Sequence, residues 1–176
     1  DKDTGLASQF WGRGLGWLAM ALVDVLDIIP EDQTELRQPL LDMTAELAEA
    51  LVKVQHDSGT WYQILDKPNA PGNYLESSAS GMFTYFFAKG VNNGYLDARY
   101  KATAVKAYEG LVNEFILVHP DNSVSLVNTC QVAGLGFGRD GSYEYYMSEP
   151  VFRNDAKANG PFIMAGVQIA KLLGTN

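Results

Sequence analysis

The sequence is poor in the residues that build metal sites and disulfides. It has one cysteine, Cys130, and two well-separated histidines, His56 and His119, in a chain of 176 residues. One cysteine excludes an internal disulfide, so both reducing and oxidising compartments stay open. With so few thiolate and imidazole ligands, a structural zinc site is not expected. We therefore expect neither a metal nor a cofactor.

Positive charge is also scarce. Lysine and arginine number 13 against 21 aspartates and glutamates, which gives a net charge of −8. Nucleic acids and anionic membrane surfaces are bound by basic faces, so neither is an expected partner. No apolar run is long enough to span a membrane, and no leader peptide is evident. The chain opens on Asp1 rather than methionine, so we expect a processed product or a part of a longer polypeptide.

The most informative stretch covers residues 10–30, FWGRGLGWLAMALVDVLDIIP. Two tryptophans and an arginine, Trp11, Arg13 and Trp17, stand among three glycines at the start of an apolar helix. Glycine costs about 1 kcal/mol in a helix interior, so three of them indicate that another group approaches the backbone closely. Flat aromatic faces and a guanidinium fork suit a sugar ring that carries a carboxylate. Alternatively, the tryptophans fill the core and the arginine is a solvated cap.

Hydrophobic periodicity predicts alternating buried and surface helices. Residues 15–29 are apolar on nearly every side, which indicates a buried helix, whereas residues 34–54 carry an apolar stripe at spacings of three and four. The remaining predicted helices are the buried 76–90, the amphipathic 97–118 and the largely apolar 155–173. A short strand pair is predicted around residues 124–127.

Inner and outer helices in alternation make α-hairpin repeats, so we predict an all-α fold. Two and a half hairpins cannot close an (α/α) ring. Residues 1–176 are therefore predicted to be a single domain, either an open solenoid or about the C-terminal half of a closed barrel. The inner helices, near 15–29, 77–90 and 160–173, should be the most buried. A half-barrel leaves apolar flanks bare, so we expect a dimer, aggregation or an N-terminal half close by.

The loops from outer to inner helices are long and aromatic, and they emerge at the end where the inner helices begin. Function is concentrated in such loops. Trp61 and Tyr145 are therefore candidate residues for the mouth of a site, together with Tyr143 and Tyr146. The alternative is that these aromatic side chains only hold the long loops in place.

Three blocks of the sequence resemble, in the right order, the C-terminal half of unsaturated glycuronyl hydrolases. They are residues 10–30 and the segments WYQILDKPNAPGNYLESSASGMFTYFFAKGVNNGYLD and DGSYEYYMSEPVFRNDAKANGPFIMAG. The resemblance is closest to the unsaturated rhamnogalacturonyl hydrolases of glycoside hydrolase family 105, and family 88 is the near relative. It implies an (α/α)6 barrel of six hairpins, of which this chain holds about the last three. It also implies that Trp11, Arg13 and Trp17 contact the substrate.

The resemblance further implies a reaction. Enzymes of this family remove an unsaturated uronic acid from the non-reducing end of pectin-derived oligosaccharides, with no metal. An aspartate protonates the C4=C5 double bond and activates water, which is general acid chemistry. In the family that aspartate precedes the FWGRG block. We therefore expect no catalytic residue in this chain and no activity from the chain alone. The expected location of the protein is the cytoplasm or the periplasm of a bacterium.

Two other functions remain open from the sequence. The same architecture could act on unsaturated glucuronyl units from glycosaminoglycans, and loops outside the motifs would decide between the two substrates. A non-catalytic α-hairpin module that binds proteins or glycans is the third possibility. Such a module would be expected to line its groove with polar inner-helix faces, whereas these inner helices are apolar.

Overall fold

The computed structural model describes residues 3–175, and within that range the chain forms six α-helices. They are α1 (Gly12–Val25), α2 (Thr34–Lys53), α3 (Ser77–Asn92), α4 (Lys101–Phe115), α5 (Tyr143–Ser148) and α6 (Ala156–Leu173). In the same residues four short strands form two antiparallel pairs, β1 (Ile116–Val118) with β2 (Val124–Leu126) and β3 (Thr129–Cys130) with β4 (Val151–Phe152). In this described part no helix is long and apolar enough to cross a membrane.

Helix α3 is the centre of the structure. It packs between α1 and α6, while α2 lies against α1, and α4 lies against α3 and α6. Every residue of α3 from Ser77 to Gly90 is buried. The layers are therefore an inner row of α1, α3 and α6 and an outer row of α2 and α4. This arrangement confirms the predicted all-α fold of helical hairpins.

Aromatic side chains fill the space between α3 and the outer layer. Trp61 is fully buried, and its Nε1 donates a hydrogen bond of 2.9 Å to the carbonyl of Leu51. Its ring meets Phe83 edge-on at 5.3 Å between centroids and stacks on Phe87 at 6.1 Å. The prediction that Trp61 lines the mouth of a site is wrong, because the residue lies in the core.

Helices α1 and α6 are apolar but only half buried. The exposed side chains of α1 include Trp17, Leu18 and Val25, and those of α6 include Ile163, Met164 and Val167. The predicted burial of the inner helices is thus confirmed for α3 and wrong for these two flanks. A helix that is apolar all round needs neighbours on both sides. In the described residues α1 and α6 each have an inner-row neighbour on one side only.

Two predicted helices are longer than the observed ones. Helix α1 ends at Val25 rather than at 29, and the Arg37 side chain donates to the carbonyls of Leu26 and Ile29 just beyond it. Residues 116–118 leave the predicted fourth helix and form β1. Their partner β2 confirms the strand pair expected around 124–127.

Helices α1 and α3 are joined at their C-terminal ends by a buried lysine. The Nζ of Lys89 lies 2.6 Å from a carboxylate oxygen of Asp24 and 2.6 Å from one of Asp27. Tyr85 donates to Asp24, and Tyr95 donates to Asp27. Burial acts to lower the pKa of Lys89, but the hydrogen bonds to both carboxylates outweigh it and hold that pKa above its usual value. Two of the few charges on this apolar segment therefore serve to fix α1 to α3.

Lys89→Met should lower the free energy of unfolding by about 2 kcal/mol near neutral pH. We expect a smaller loss of stability than for a fully buried ion pair, because the side chains of Asp24 and Asp27 are 41% and 38% exposed. Burial acts to raise the pKa of Asp27, but its hydrogen bonds and the charge of Lys89 leave it below the usual value. The stabilisation by Asp27 is thus present above its unfolded pKa of about 3.9 and is lost as pH falls through the lower folded pKa.

Urea unfolding across the acid range measures this effect. The difference between Lys89→Met and the unchanged chain should shrink below about pH 4. Lys101→Met, which alters an exposed lysine at the start of α4, is the matched control and should change stability little. A difference that stays constant over the whole range would contradict the assignment.

Candidate functional site

The inner helices begin side by side at one end of the molecule. The first turns of α1 and α3 touch at Gly12 and Ala79, and a Cβ added to Gly12 would lie 3.0 Å from the Cβ of Ala79. Further along α3, Gly81 packs against Pro161 of α6. The first glycine of the FWGRG block is therefore required by close helix packing. The predicted common end of the inner helices is confirmed.

A cavity of about 390 Å³ opens beside the start of α1. It lies between the segment that leads into α1 and the segment that follows β3. Its lining includes Phe10, Trp11, Leu15, Gly134, Leu135 and Tyr146. Among the described residues no charged side chain contributes to the lining. An apolar, aromatic cavity with few polar groups is typical of a small-molecule site.

Trp11 forms one wall of this cavity. Its ring lies against the backbone of Gly14, where an added Cβ would come within 2.8 Å of the ring atom Cε3. Tyr146 packs against the same ring at 5.7 Å between centroids, and Tyr145 packs against Tyr146 at 5.1 Å. Trp11, Tyr145 and Tyr146 therefore lie together at one wall, and their role at the mouth of a site stays a prediction.

Two polar atoms at this wall have no hydrogen-bond partner within the described residues. They are the Nε1 of Trp11 and the Oη of Tyr145, and both are buried. Most buried polar side-chain atoms in proteins are hydrogen-bonded, so an orphaned one needs a water, a ligand or another segment as partner. Both are N–H or O–H donors, which suits an acceptor-rich ligand.

The side chain of Arg13 has its partners inside the protein. The side chain is only 2% exposed, and its Nη1 donates to the carbonyl of Cys130 and, at 3.3 Å, to the Oγ of Ser78. The same atom lies 3.9 Å from Glu76, and the guanidinium carbon lies 5.3 Å from the centre of the Trp11 ring. Arg13 therefore supports the Trp11 wall from inside the protein, and its predicted contact with the substrate stays a prediction.

Glu76 is the buried counter-charge that sequence reasoning missed. It caps α3 by accepting a hydrogen bond of 2.7 Å from the backbone of Ala79, and it also accepts from the backbone of Cys130 and from Ser78. Burial raises the pKa of Glu76, against the opposing action of these donors and of Arg13. The available signal was a glutamate directly before a small-residue helix start. Its partner, however, lies far away in the sequence.

The remaining predicted residues lie outside the cavity. Trp17 is 51% exposed on the bare flank of α1, so its substrate contact stays a prediction. Tyr143 donates to the carbonyl of Pro71, and the ammonium of Lys67 lies over its ring. These contacts match the alternative interpretation, in which the aromatic side chains hold the long loops in place.

Within the described residues no three metal-ligating side chains lie close enough together to hold a metal ion.

Helical hairpins in an inner and an outer row, with the inner helices beginning at a common end, place the chain in the α/α-barrel class. A sequence profile of Glycosyl Hydrolase Family 88 matches residues 1–173. The chain belongs to this family, as the resemblance of its three sequence blocks predicted.

Known relatives support the assignment. The chain is 36% identical to Protein Atu3128 of Agrobacterium fabrum over 171 residues, which cover 92% of this chain and 72% of that protein. It is 29% identical to an unsaturated 3S-rhamnoglycuronyl hydrolase of Formosa agariphila, covering 97% of this chain and 41% of that one. A solved family 105 glycoside hydrolase from C. acetobutylicum superimposes with a TM-score of 0.91 at 44% identity over 96% of this chain and 48% of its own. The chain thus spans about half the length of that solved structure.

Glu76→Gln should lower the free energy of unfolding by about 3–5 kcal/mol, because it leaves the charge of Arg13 buried without its counter-charge. Arg13→Met should lower the free energy of unfolding by a similar amount, because it leaves the carboxylate of Glu76 buried without its counter-charge. The double variant should lose clearly less than the sum, since the two side chains act as a pair. Urea unfolding of the four proteins measures the coupling, and strictly additive losses would contradict it.

Gly14→Ala tests the packing of the Trp11 ring against the backbone of Gly14. Alanine in a helix raises the free energy of unfolding by up to about 1 kcal/mol relative to glycine. We expect the displacement of the Trp11 ring by the added methyl group to cancel that gain. Gly160→Ala in α6 is the control for the ring, because an added Cβ there meets no described atom within 4 Å apart from its chain neighbours. Its own gain in stability should be small, because Pro161 follows directly and disfavours a Cβ on the preceding helical residue. Near-ultraviolet circular dichroism should change for Gly14→Ala and not for Gly160→Ala, and an unchanged spectrum of Gly14→Ala would contradict this packing.

Proposed function

We propose that this chain is part of a hydrolase that removes an unsaturated uronic acid from the non-reducing end of rhamnogalacturonan oligosaccharides. Membership of Glycosyl Hydrolase Family 88 is the observation that carries the proposal. The name of the Formosa relative, a rhamnoglycuronyl hydrolase, favours a substrate in which the uronic acid is joined to rhamnose. The aromatic cavity beside Trp11 suits the apolar face of a sugar ring.

We further propose that residues 1–176 form the last three hairpins of a six-hairpin barrel. The bare apolar flanks of α1 and α6 support this view, since an inner helix of a closed ring has a neighbour on each side. The solved family 105 relative, which is about twice as long, supports it as well. The remaining hairpins would then cover both flanks and face the cavity.

The proposed reaction is hydration of the C4=C5 double bond. A carboxylic acid transfers a proton to C4, the oxygen of water adds to C5, and one proton of that water returns to the carboxylate. The resulting hemiketal opens to a C5 ketone, which leaves C1 as a hemiacetal. The hemiacetal breaks down to an aldehyde and releases the remaining saccharide with its hydroxyl group restored. The protein must therefore supply a carboxyl group that gives up a proton at the site and a surface that holds the sugar beside it.

Three partly or fully buried carboxylates of the chain, Asp24, Asp155 and Glu76, are already engaged. Asp24 is bound by Lys89 at the far end of α1, and Asp155 caps α6 and pairs with Lys157. Both oxygens of Glu76 accept hydrogen bonds inside the protein. We therefore place the general acid outside this chain and assign to the chain the binding and orientation of the sugar.

The chain alone should not hydrolyse unsaturated disaccharides, because a general acid contributes about 10²–10⁴-fold to the rate and this one is supplied from elsewhere. A chimaera that joins the chain to the part of the C. acetobutylicum hydrolase that it does not cover should be active. Loss of the ultraviolet absorbance of the conjugated double bond measures the reaction.

Two substrates distinguish the possible specificities in the same assay. Unsaturated galacturonyl-rhamnose should be hydrolysed by the chimaera, and an unsaturated disaccharide from chondroitin should be a poor substrate. The reverse preference would point to glycosaminoglycan fragments. Activity of the 176-residue chain by itself would show that the acid lies within it.

A further inference from the structure

Two apolar stripes lie at the two ends of the inner row α1–α3–α6. On α1 the exposed side chains of Leu18, Ala21 and Val25 follow one another at spacings of three and four, so they share one face of the helix. On α6 the exposed Ile163 and Val167, four residues apart, form the second stripe. Each stripe is therefore open to a helix that continues the row.

The two stripes run in the same direction. All three inner helices begin at a common end, where Gly12 of α1 packs on Ala79 of α3 and Gly81 of α3 packs on Pro161 of α6. A second copy that continues the inner row brings its α1 against α6 of the first copy, with the two helices parallel. Such a contact is heterologous, because different surfaces of the two copies meet.

Opposite charges stand at the far ends of the two flanks. Near the end of α1, the carboxylates of Asp24 and Asp27 share the single ammonium of Lys89 and remain 41% and 38% exposed, so a second cation can reach them. In the last turn of α6, Lys171 is exposed and forms no ion pair within the described residues. A parallel contact of α6 with α1 brings Lys171 to the same end as these carboxylates. A contact of α1 with a second α1 lacks this attraction.

The number of copies follows from the number of inner helices. The chain has three of them, α1, α3 and α6, and the proposed barrel has six. One copy therefore spans half a turn of the ring, and a second copy, related by a twofold axis along the barrel, closes it. Heterologous contacts give a ring when the rotation closes and an open filament when it does not.

A known relative is also too short to close such a ring by itself. The match covers 72% of Protein Atu3128, against 48% of the solved family 105 hydrolase. The part of Protein Atu3128 outside the match is too short for the three missing hairpins. A protein of that length would need a second molecule to complete the row of inner helices.

We infer that two copies of the 176-residue chain associate in solution and close a ring of six inner helices, with α6 of each copy against α1 of the other. The inference goes beyond the proposed function, from which it takes only the number of helices in the ring. In a whole barrel the N-terminal hairpins cover the same flanks. A second copy takes their place in the chain by itself, because it presents a row of inner helices that run in the same direction.

Cysteine cross-linking tests which helices meet. Ala21→Cys on α1 and Val167→Cys on α6 are made as two proteins and co-expressed. They should form a disulfide-linked dimer on mild oxidation, and either variant alone should not, because a disulfide needs Cα atoms within about 7 Å of each other. The chain's own Cys130 is buried and is the same in every sample. Ala21→Cys with Val112→Cys, which is exposed on the outer helix α4, is the matched control and should not cross-link.

Analytical ultracentrifugation measures the number of copies. The unchanged chain should sediment at twice its mass of 19.3 kDa. Lys171→Glu should raise the Kd of the dimer about tenfold, because the ion pair occurs at both contacts and is replaced by repulsion. Lys101→Glu, at an exposed lysine of the outer helix α4, is the control and should leave the Kd unchanged.

Several results would overturn the inference. They are a monomer at high concentration, a series of oligomers larger than the dimer, and cross-links between identical positions. An unchanged Kd for Lys171→Glu would equally exclude the parallel contact of α6 with α1. None of these measurements involves hydrolysis, so a failure of the inference is distinct from a failure of the proposed function.

Discussion

The buried ion pair between Arg13 and Glu76 is the constraint on which the cavity depends. Glu76 accepts hydrogen bonds from the first turn of α3 and from the backbone of Cys130, and Arg13 donates to the carbonyl of the same Cys130. One pair of charges thus fixes the starts of α1 and α3 to β3. Trp11 precedes this pair in the chain, and Gly134 follows β3. Both sides of the cavity are therefore positioned from one point.

The location of this pair reduces its cost. A carboxylate at a helix N-terminus is stabilised by the free backbone N–H groups and the positive end of the helix dipole. Glu76 occupies this position on α3, so that several donors share its charge. Arg13 gains a second favourable contact through the face of the Trp11 ring. The pair therefore does more than cancel two charges, because it also fixes the orientation of an aromatic wall.

Sequence periodicity was sufficient for the existence of the five long helices and for the division into inner and outer rows, because both depend on local patterns of apolar residues. It did not predict the six-residue α5 or the ends of α1 and α4. The burial of individual loop side chains could not be predicted from such local patterns. Trp61 lies in a polar, proline-containing loop and yet enters the core, since its ring fills a gap between α3 and the outer layer. The partner of Arg13 lies in the second block, and Leu135 of the cavity lies in a glycine-rich turn without periodicity. Neither contact could be read from local sequence patterns, because each depends on how distant segments come together in the folded chain.

The lysine at the far end of α1 and α3 has a consequence for motion. These helices are joined at their starts through Arg13 and Glu76 and near their ends through Lys89 and its two aspartates. Two helices fixed at both ends move as one rigid body, so that opening of the cavity by a change in their angle would break an ion pair. Neither ion pair includes a residue of the glycine-rich segment that carries Gly134 and Leu135. The wall that is fixed by ion pairs and the glycine-rich wall of the cavity therefore belong to different parts of the chain.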